Sequence, residues 1–147
     1  MQEKTTEHSL DSFIDHCRQH HLKVTPQRMA IYKKLIRMRN HPSADTMFRE
    51  IRKEFPSISF DTVNRTLITF SEIGLIDIIE GLTNQRRYDP NTHDHHHFHC
   101  VRCGAIIDFY DDALDGLEIP DDIQKRFAVQ STRVVIKGLC GRCREKT

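Results

Sequence analysis

Apolar residues along the first half of the chain recur at intervals of three and four, the spacing that gives a helix one buried face. Leu10, Phe13, Ile14 and Cys17 form the first such run, with Ser9 as its capping residue. Thr25-Pro26 opens a second, placing a capping hydroxyl before a proline whose missing N–H costs nothing in the first turn. Ala30, Ile31, Leu35 and Met38 share its inner face, and His41-Pro42 ends it. Ser43 caps a third helix that turns Ala44, Met47, Phe48, Ile51 and Phe55 inward and stops at Pro56. A fourth opens at Ser59 or Asp61, aligns Val63, Leu67 and Phe70, and closes at Gly74.

The period then changes. Residues 75–80 are isoleucine-rich and predict a strand, 81–84 a turn, and 85–88 the returning strand. Helices followed by a hairpin predict a winged helix-turn-helix domain over residues 1–88, with 60–73 as the recognition helix. Residues 89–93 form a linker containing Pro90 and Asn91. In the second domain, 94–147, strands over 105–110 and 128–136 flank an acidic, partly helical stretch broken by Gly116 and Pro120. It has few large apolar residues, and a small α+β unit of that kind needs a staple.

Composition sharpens the division. With 147 residues of which 37% are hydrophobic, the chain suits two modest cores better than one large one. Lys and Arg number 22 against 21 Asp and Glu, which argues against a strongly basic coating for nucleic acid. The balance is uneven, however: residues 1–87 carry 14 basic and 11 acidic side chains, residues 88–147 only 8 and 10. The first domain is thus free to touch phosphate. The chain has no apolar run of membrane-spanning length and no secretory leader, so a cytoplasmic protein without a membrane partner is expected.

Four of five cysteines form Cys100-Val-Arg-Cys103 and Cys140-Gly-Arg-Cys143. Each pair offers two thiolates from one tight turn, the spacing of two corners of a tetrahedral zinc site. Two disulfides or a pair of redox motifs are the alternatives. A cytosolic chain disfavours the first, and the strand-to-helix context of the second is missing. Cys17 lies on the apolar face of the first helix and is expected in the core. Residues 93–99 contain five of the ten histidines. On an extended segment His95, His97 and His99 share one face, and Asp94 and His96 the other. Imidazoles beside carboxylates suit Fe(II), Mn(II) or Zn(II). His8, His16, His20 and His21 lack such company and are expected at the surface.

These features together make the chain similar to the ferric uptake regulator (Fur) family over nearly its whole length. The matching residues are Val24-Thr25-Pro26-Gln27-Arg28, His41-Pro42-Ser43-Ala44-Asp45, Thr62-Val63 with Thr66-Leu67, Gly74-Leu75-Ile76, residues 95–104, and the closing Cys140 to Cys143 pair. The resemblance implies a homodimer with N-terminal winged-helix domains and C-terminal α/β dimerisation domains. It implies structural Zn(II) on Cys100, Cys103, Cys140 and Cys143. It also places a regulatory metal on His41, Asp89, His95, His97 and Asp108, drawing ligands from both domains and the linker. Binding there would fix the angle between domains and space two recognition helices for successive major grooves of a palindromic DNA operator.

Iron and zinc sensors of the family commonly carry glutamate where this chain has Asp89 and Asp108. The two aspartates resemble the peroxide-sensing PerR branch, whose corepressor is Fe(II) or Mn(II), and the resemblance makes His41 and His95 the oxidation-prone ligands. A second histidine-rich site found in several members needs a histidine on the last strand, where this chain has Gln130, Ser131 and Thr132. The family's usual tyrosine after Thr62-Val63 is Asn64 here, followed by Arg65. Asparagine can pair with adenine, and arginine can meet guanine or phosphate. Ser59, Thr62, Asn64 and Arg65 are therefore the candidate DNA contacts, with a surface ion pair as the alternative role for Arg65. The reading is a metal-dependent repressor, not an enzyme. Its rivals are an iron, zinc or manganese uptake regulator without peroxide sensing, a metal buffer, and a hydrolytic metalloenzyme, for which no HExxH-type motif exists.

Overall fold

Hydroxyl caps start three of the four helices that lead the chain. The computed structural model describes residues 10–81 and 83–146, which pack as two units dividing after Thr92. In the first unit, α1 (Leu10–Gln19), α2 (Pro26–Arg37), α3 (Ala44–Ile51) and α4 (Phe60–Glu72) appear in order. Thr25 Oγ1 accepts from the Arg28 amide at 3.2 Å, Ser43 Oγ from Thr46 at 3.3 Å, and Ser59 Oγ from Thr62 at 3.1 Å. Ser59 is thus the cap of α4, and Asp61 sits in its first turn, where a carboxylate complements the helix dipole. Ser9, expected to cap α1, lies outside the described residues. Gly74 ends α4 at φ +75°, a left-handed conformation that costs glycine nothing, and lets the Leu75 amide reach the Phe70 carbonyl at 2.9 Å.

The inward residues meet in one hydrocarbon core. Phe13 stacks on Tyr32 with ring centroids 4.5 Å apart and meets Phe70 edge-on at 5.7 Å. Ile31, Leu35, Met47, Ile51, Val63 and Leu67 are fully enclosed around them, as is Cys17. Each such aliphatic side chain contributes about 1.5–3 kcal/mol by leaving water. His16 departs from the expectation of a surface residue. It is half-buried, with Nε2 2.5 Å from the Ile73 carbonyl, one of the orphan acceptors at the end of α4. His20 and His21 are exposed, and His8 lies outside the described residues.

Strands β1 (Asp77–Glu80) and β2 (Arg86–Asp89) pair antiparallel, with Asp77 opposite Asp89 and Glu80 opposite Arg86. The ladder begins two residues later than the sequence pattern suggests because the Leu75 and Ile76 amides are both turned to the Phe70 carbonyl. Asp89, read from sequence as the first linker residue, instead ends β2 and is buried. Its neighbour Tyr88 enters the core, and the Tyr88 amide donates to the Pro42 carbonyl at 3.0 Å.

In the second unit a three-stranded sheet runs in the order β4-β3-β5, where β3 is His96–Cys100, β4 is Ile106–Phe109 and β5 is Val135–Gly138. Strand β3 is antiparallel to β4 and parallel to β5. Helices α5 (Asp112–Asp115) and α6 (Asp121–Arg126) connect β4 to β5, and α7 (Gly141–Glu145) follows. The expected strand over 128–136 is mostly absent: residues 128–134 form no strand. The Val134 amide donates to His96 Nδ1 at 3.0 Å in place of a ladder carbonyl, so pairing starts only at Val135, opposite His97. The buried residues of β3 are His96, His97, His99 and Cys100, so the centre of this sheet is polar.

Candidate metal centres and nucleic-acid face

Cys100 closes β3, Cys103 follows in the turn, Cys140 precedes α7 and Cys143 lies within it. Gly104, at φ +72°, closes the first turn by donating to the Cys100 carbonyl at 2.9 Å. The four Sγ atoms lie within 4.8 Å of one another, and Cys103 and Cys140 are 3.8 Å apart. A disulfide needs about 2.05 Å, and all four cysteines are free. Tetrahedral thiolates at the usual zinc–sulfur distance of about 2.3 Å stand about 3.8 Å apart, so the set fits one zinc ion.

The thiols are already biased toward that role. The Cys100 thiol is pushed down to about 6, chiefly by the Cys103 and Cys140 backbone N–H groups aimed at its sulfur. The Cys140 amide is 3.3 Å from it. Burial, aided by hydrogen bonds to the other thiols, pushes Cys143 up to about 12. One sulfur is thus a ready anion, and the other gives up its proton only against a strong cation.

Two further donor groups lie one in each unit. In the first, His41 Nε2 is 3.3 Å from Asp89 Oδ2, and both side chains are buried. Asp89 Oδ1 accepts from the Asn91 amide at 2.8 Å, which turns the other oxygen toward the imidazole. In the second, His95 Nε2 and His97 Nε2 approach Asp108 Oδ1 at 3.4 and 3.2 Å. His95 Nδ1 lies 2.5 Å from the His93 carbonyl, so the proton sits on Nδ1 and Nε2 turns a lone pair toward the carboxylate. A lone pair facing an anionic oxygen is favourable only with a proton or a metal cation between them. Both groups fit a divalent ion with mixed nitrogen and oxygen donors.

His96 points away from this set, as strand alternation requires. Its Nδ1 accepts from Val134, leaving Nε2 protonated to donate to Asp115 Oδ1 at 2.7 Å. Both nitrogens are committed to the protein's own structure. Sequence reasoning missed this bracing role, and it missed Arg87, whose guanidinium donates to the carbonyls of Asn40 and His41. The signal for Arg87 was its position two residues before Asp89 on a strand, which puts both on one face.

On α4, Asn64 is half-buried and shares a shallow groove with Asp45 and with Asn84, Gln85 and Arg86 of the hairpin. The Gln85 amide reaches Asp45 Oδ2 at 3.3 Å. Arg65 is exposed and paired with Asp61 at 3.0 Å, the surface ion pair weighed for it above. Ser59 Oγ and Thr62 Oγ1 are 2.8 Å apart and engaged in the cap.

Residues 19–137 match the model of the ferric uptake regulator family. The chain belongs to that family. It is 36% identical over 143 residues to the peroxide-responsive repressor PerR of Staphylococcus saprophyticus, covering 97% of each chain. Among solved structures it resembles the Helicobacter pylori ferric uptake regulator, described with three functional metal-binding sites, at a TM-score of 0.74 and 24% identity over 98% of this chain and 97% of that one. That likeness is one of fold. It also resembles a zinc uptake regulator complexed with zinc and DNA, at a TM-score of 0.68 and 25% identity over 98% of both chains.

This chain is a metal-responsive regulator of the Fur family, whose members bind DNA and form dimers. The family fold is the α+β arrangement described above, a helical DNA-binding unit followed by a small α/β unit. The family match ends at residue 137, before the second cysteine pair, so the thiol geometry stands as separate support for a zinc-type site. Among the described residues no helix is long and apolar enough to cross a membrane.

Proposed function

We propose that this protein is a metal-dependent repressor that senses peroxide. Zn(II) on Cys100, Cys103, Cys140 and Cys143 staples the second unit. A single Fe(II) or Mn(II) ion is held by His41, Asp89, His95, His97 and Asp108, joining the two units in the DNA-binding state. The observation that carries the reading is the pair of short carboxylates, Asp89 and Asp108, each turned toward imidazole nitrogens. Two carboxylates and three neutral imidazoles balance a divalent ion, so burying the set leaves no net charge to solvate. The similarity to PerR supports the peroxide branch. The homodimer docks two α4 helices in successive major grooves of a palindromic operator, where Asn64 and Arg65 contact the DNA. Ser59 and Thr62 shape the N-terminus of α4 that meets the DNA, because both hydroxyls and the Thr62 amide are occupied in the cap.

An Fe(II) ion held by these residues would activate peroxide beside the imidazoles and end the cycle as Fe(II). The His41 or His95 ring would be the two-electron reductant: a ring carbon would gain one peroxide oxygen, its hydrogen would move to a ring nitrogen, and the other oxygen would leave as water. The modified ring is a poorer donor, the ligand set fails, and the repressor leaves its operator. Manganese supports the same DNA-binding state without that oxidation.

The test is iron-loaded and manganese-loaded protein treated with stoichiometric peroxide, read by operator binding and peptide mass. Iron-loaded protein should lose its operator and gain one oxygen on a peptide containing His41 or His95, and manganese-loaded protein should do neither. His95→Ala should abolish metal-dependent operator binding and keep its zinc. Unmodified histidines on iron-loaded protein that stays on DNA would make it a metal-uptake regulator without peroxide sensing.

A further inference from the structure

His41 is held in an unusual conformation, and the means of holding it lies outside the ligand set. Its φ is +51°, in the left-handed region that a non-glycine residue enters only at a cost. The next residue is Pro42, which has no amide proton to anchor the segment. Strand β2 supplies the missing anchors. Arg87 Nε donates to the His41 carbonyl, Arg87 Nη2 donates to the Asn40 carbonyl at 2.6 Å, and the Tyr88 amide donates to the Pro42 carbonyl at 3.0 Å. Arg87 and Asp89 project from the same face of β2, so one strand face grips residue 41 twice. Arg87 takes the backbone carbonyl, and Asp89 meets the ring at 3.3 Å. A planar guanidinium with fixed N–H directions suits two successive carbonyls, which a flexible ammonium cannot span together. Arg87 is half-buried, so it has exchanged part of its hydration for these carbonyls.

We propose that Arg87 is a positioning residue for the regulatory ion. It presets His41 in the left-handed conformation that aims Nε2 beside Asp89, before any ion arrives. This rests on the reading of His41 and Asp89 as ligands of Fe(II) or Mn(II). Without the clamp the 40–42 segment relaxes toward ordinary φ values, and binding must rebuild the ligand geometry from a wider ensemble. Affinity falls although every ligand is still present. Groups that orient metal ligands typically change affinity by about 10–100-fold when removed.

The experiment compares Arg87→Ala, Arg87→Lys, His41→Ala and the unaltered full-length, zinc-loaded protein. Mn(II) affinity is measured by competition with a chelating dye. Amide hydrogen exchange of residues 39–41 and 88 is measured with no Mn(II) present. Arg87→Ala should weaken Mn(II) by roughly 10–100-fold, with full zinc content and an unchanged dimer. Arg87→Lys, which keeps one of the two carbonyl bonds, should recover part of the loss. The exchange readout needs no regulatory ion: the Tyr88 amide should exchange faster in Arg87→Ala and less so in Arg87→Lys. Saturating Mn(II) should return Arg87→Ala to full operator binding, which a generally misfolded variant would not do. Unchanged Mn(II) affinity in Arg87→Ala, with His41→Ala strongly weakened, would overturn the positioning role and keep the metal reading. Unchanged affinity in His41→Ala would overturn both.

Discussion

The two units of this chain solve the same problem by different chemistry. The first encloses Phe13, Tyr32, Phe70 and a shell of aliphatic residues among four helices. The second has almost no hydrocarbon centre: its buried cluster is Cys100, Cys140 and Cys143, with Phe98, Ala105 and Leu139 packed against them. Around it lie four buried histidines on or beside one strand, His95, His96, His97 and His99. Ile107, Val135 and Ile136 remain more than two-fifths exposed. One unit is therefore stabilised by leaving water, and the other by ions that its own donors attract.

The largest expected effect comes from removing a zinc ligand. Structural zinc contributes on the order of 10 kcal/mol in small sites, comparable with the whole stability of a domain. Cys140→Ser should therefore lose zinc and unfold the second unit, while the helical signal of the first persists in circular dichroism. A zinc-free variant that is still folded and dimeric would show that the second unit does not need its staple.

A cut on the other side of the comparison should be smaller and have the opposite distribution. Phe70 is fully enclosed and meets Phe13 and Tyr32 edge-on at 5.7 and 6.3 Å. Phe70→Ala should cost roughly 3–5 kcal/mol, read as a lower urea midpoint for the helical transition, with zinc content unchanged. If zinc release and helix loss shift together in one transition, the units fold as a single cooperative body and the contrast drawn here fails.

How much of this could be read beforehand follows the same line. The first unit was legible because its information is local: helix caps at Thr25, Ser43 and Ser59, and apolar residues repeating with the helical period, each fixing a nearby turn. The cysteine pairs were legible because ligand spacing is local too. The last strand was not, because strand formation depends on what lies alongside. The sequence pattern extends one strand over 128–136, yet the Val134 amide meets a histidine ring and the ladder begins only at Val135. Asp89 looked like linker because of Pro90 and Asn91, yet it pairs with Asp77 across the hairpin. The spacing of two puts Arg87 on the strand face of Asp89, but no local pattern marks its partners, the carbonyls of Asn40 and His41 some forty-six residues earlier.

The smallest expected effects concern the exposed face of α4, where neither core nor metal decides the outcome. Arg65 and Asp61 are 77% and 67% exposed, one turn apart on the helix. Such a pair contributes about 0.3–0.5 kcal/mol to stability, so Asp61→Ala should leave the urea midpoint nearly unmoved. If α4 docks on DNA as proposed, the two residues should act in opposite directions. A carboxylate on a recognition helix repels phosphate, so Asp61→Ala should raise affinity for nonspecific DNA. If the same carboxylate holds Arg65 in the orientation that reads a base, affinity for the cognate operator should rise less, and the specificity ratio should fall. Arg65→Ala should cost about 1–3 kcal/mol on the operator and relax preference at one base pair. Titrations at several salt concentrations separate the outcomes. Cognate and nonspecific affinity falling together in Arg65→Ala, with the salt slope reduced by about one, would make Arg65 a phosphate contact. Base reading at that position would then rest on Asn64 alone.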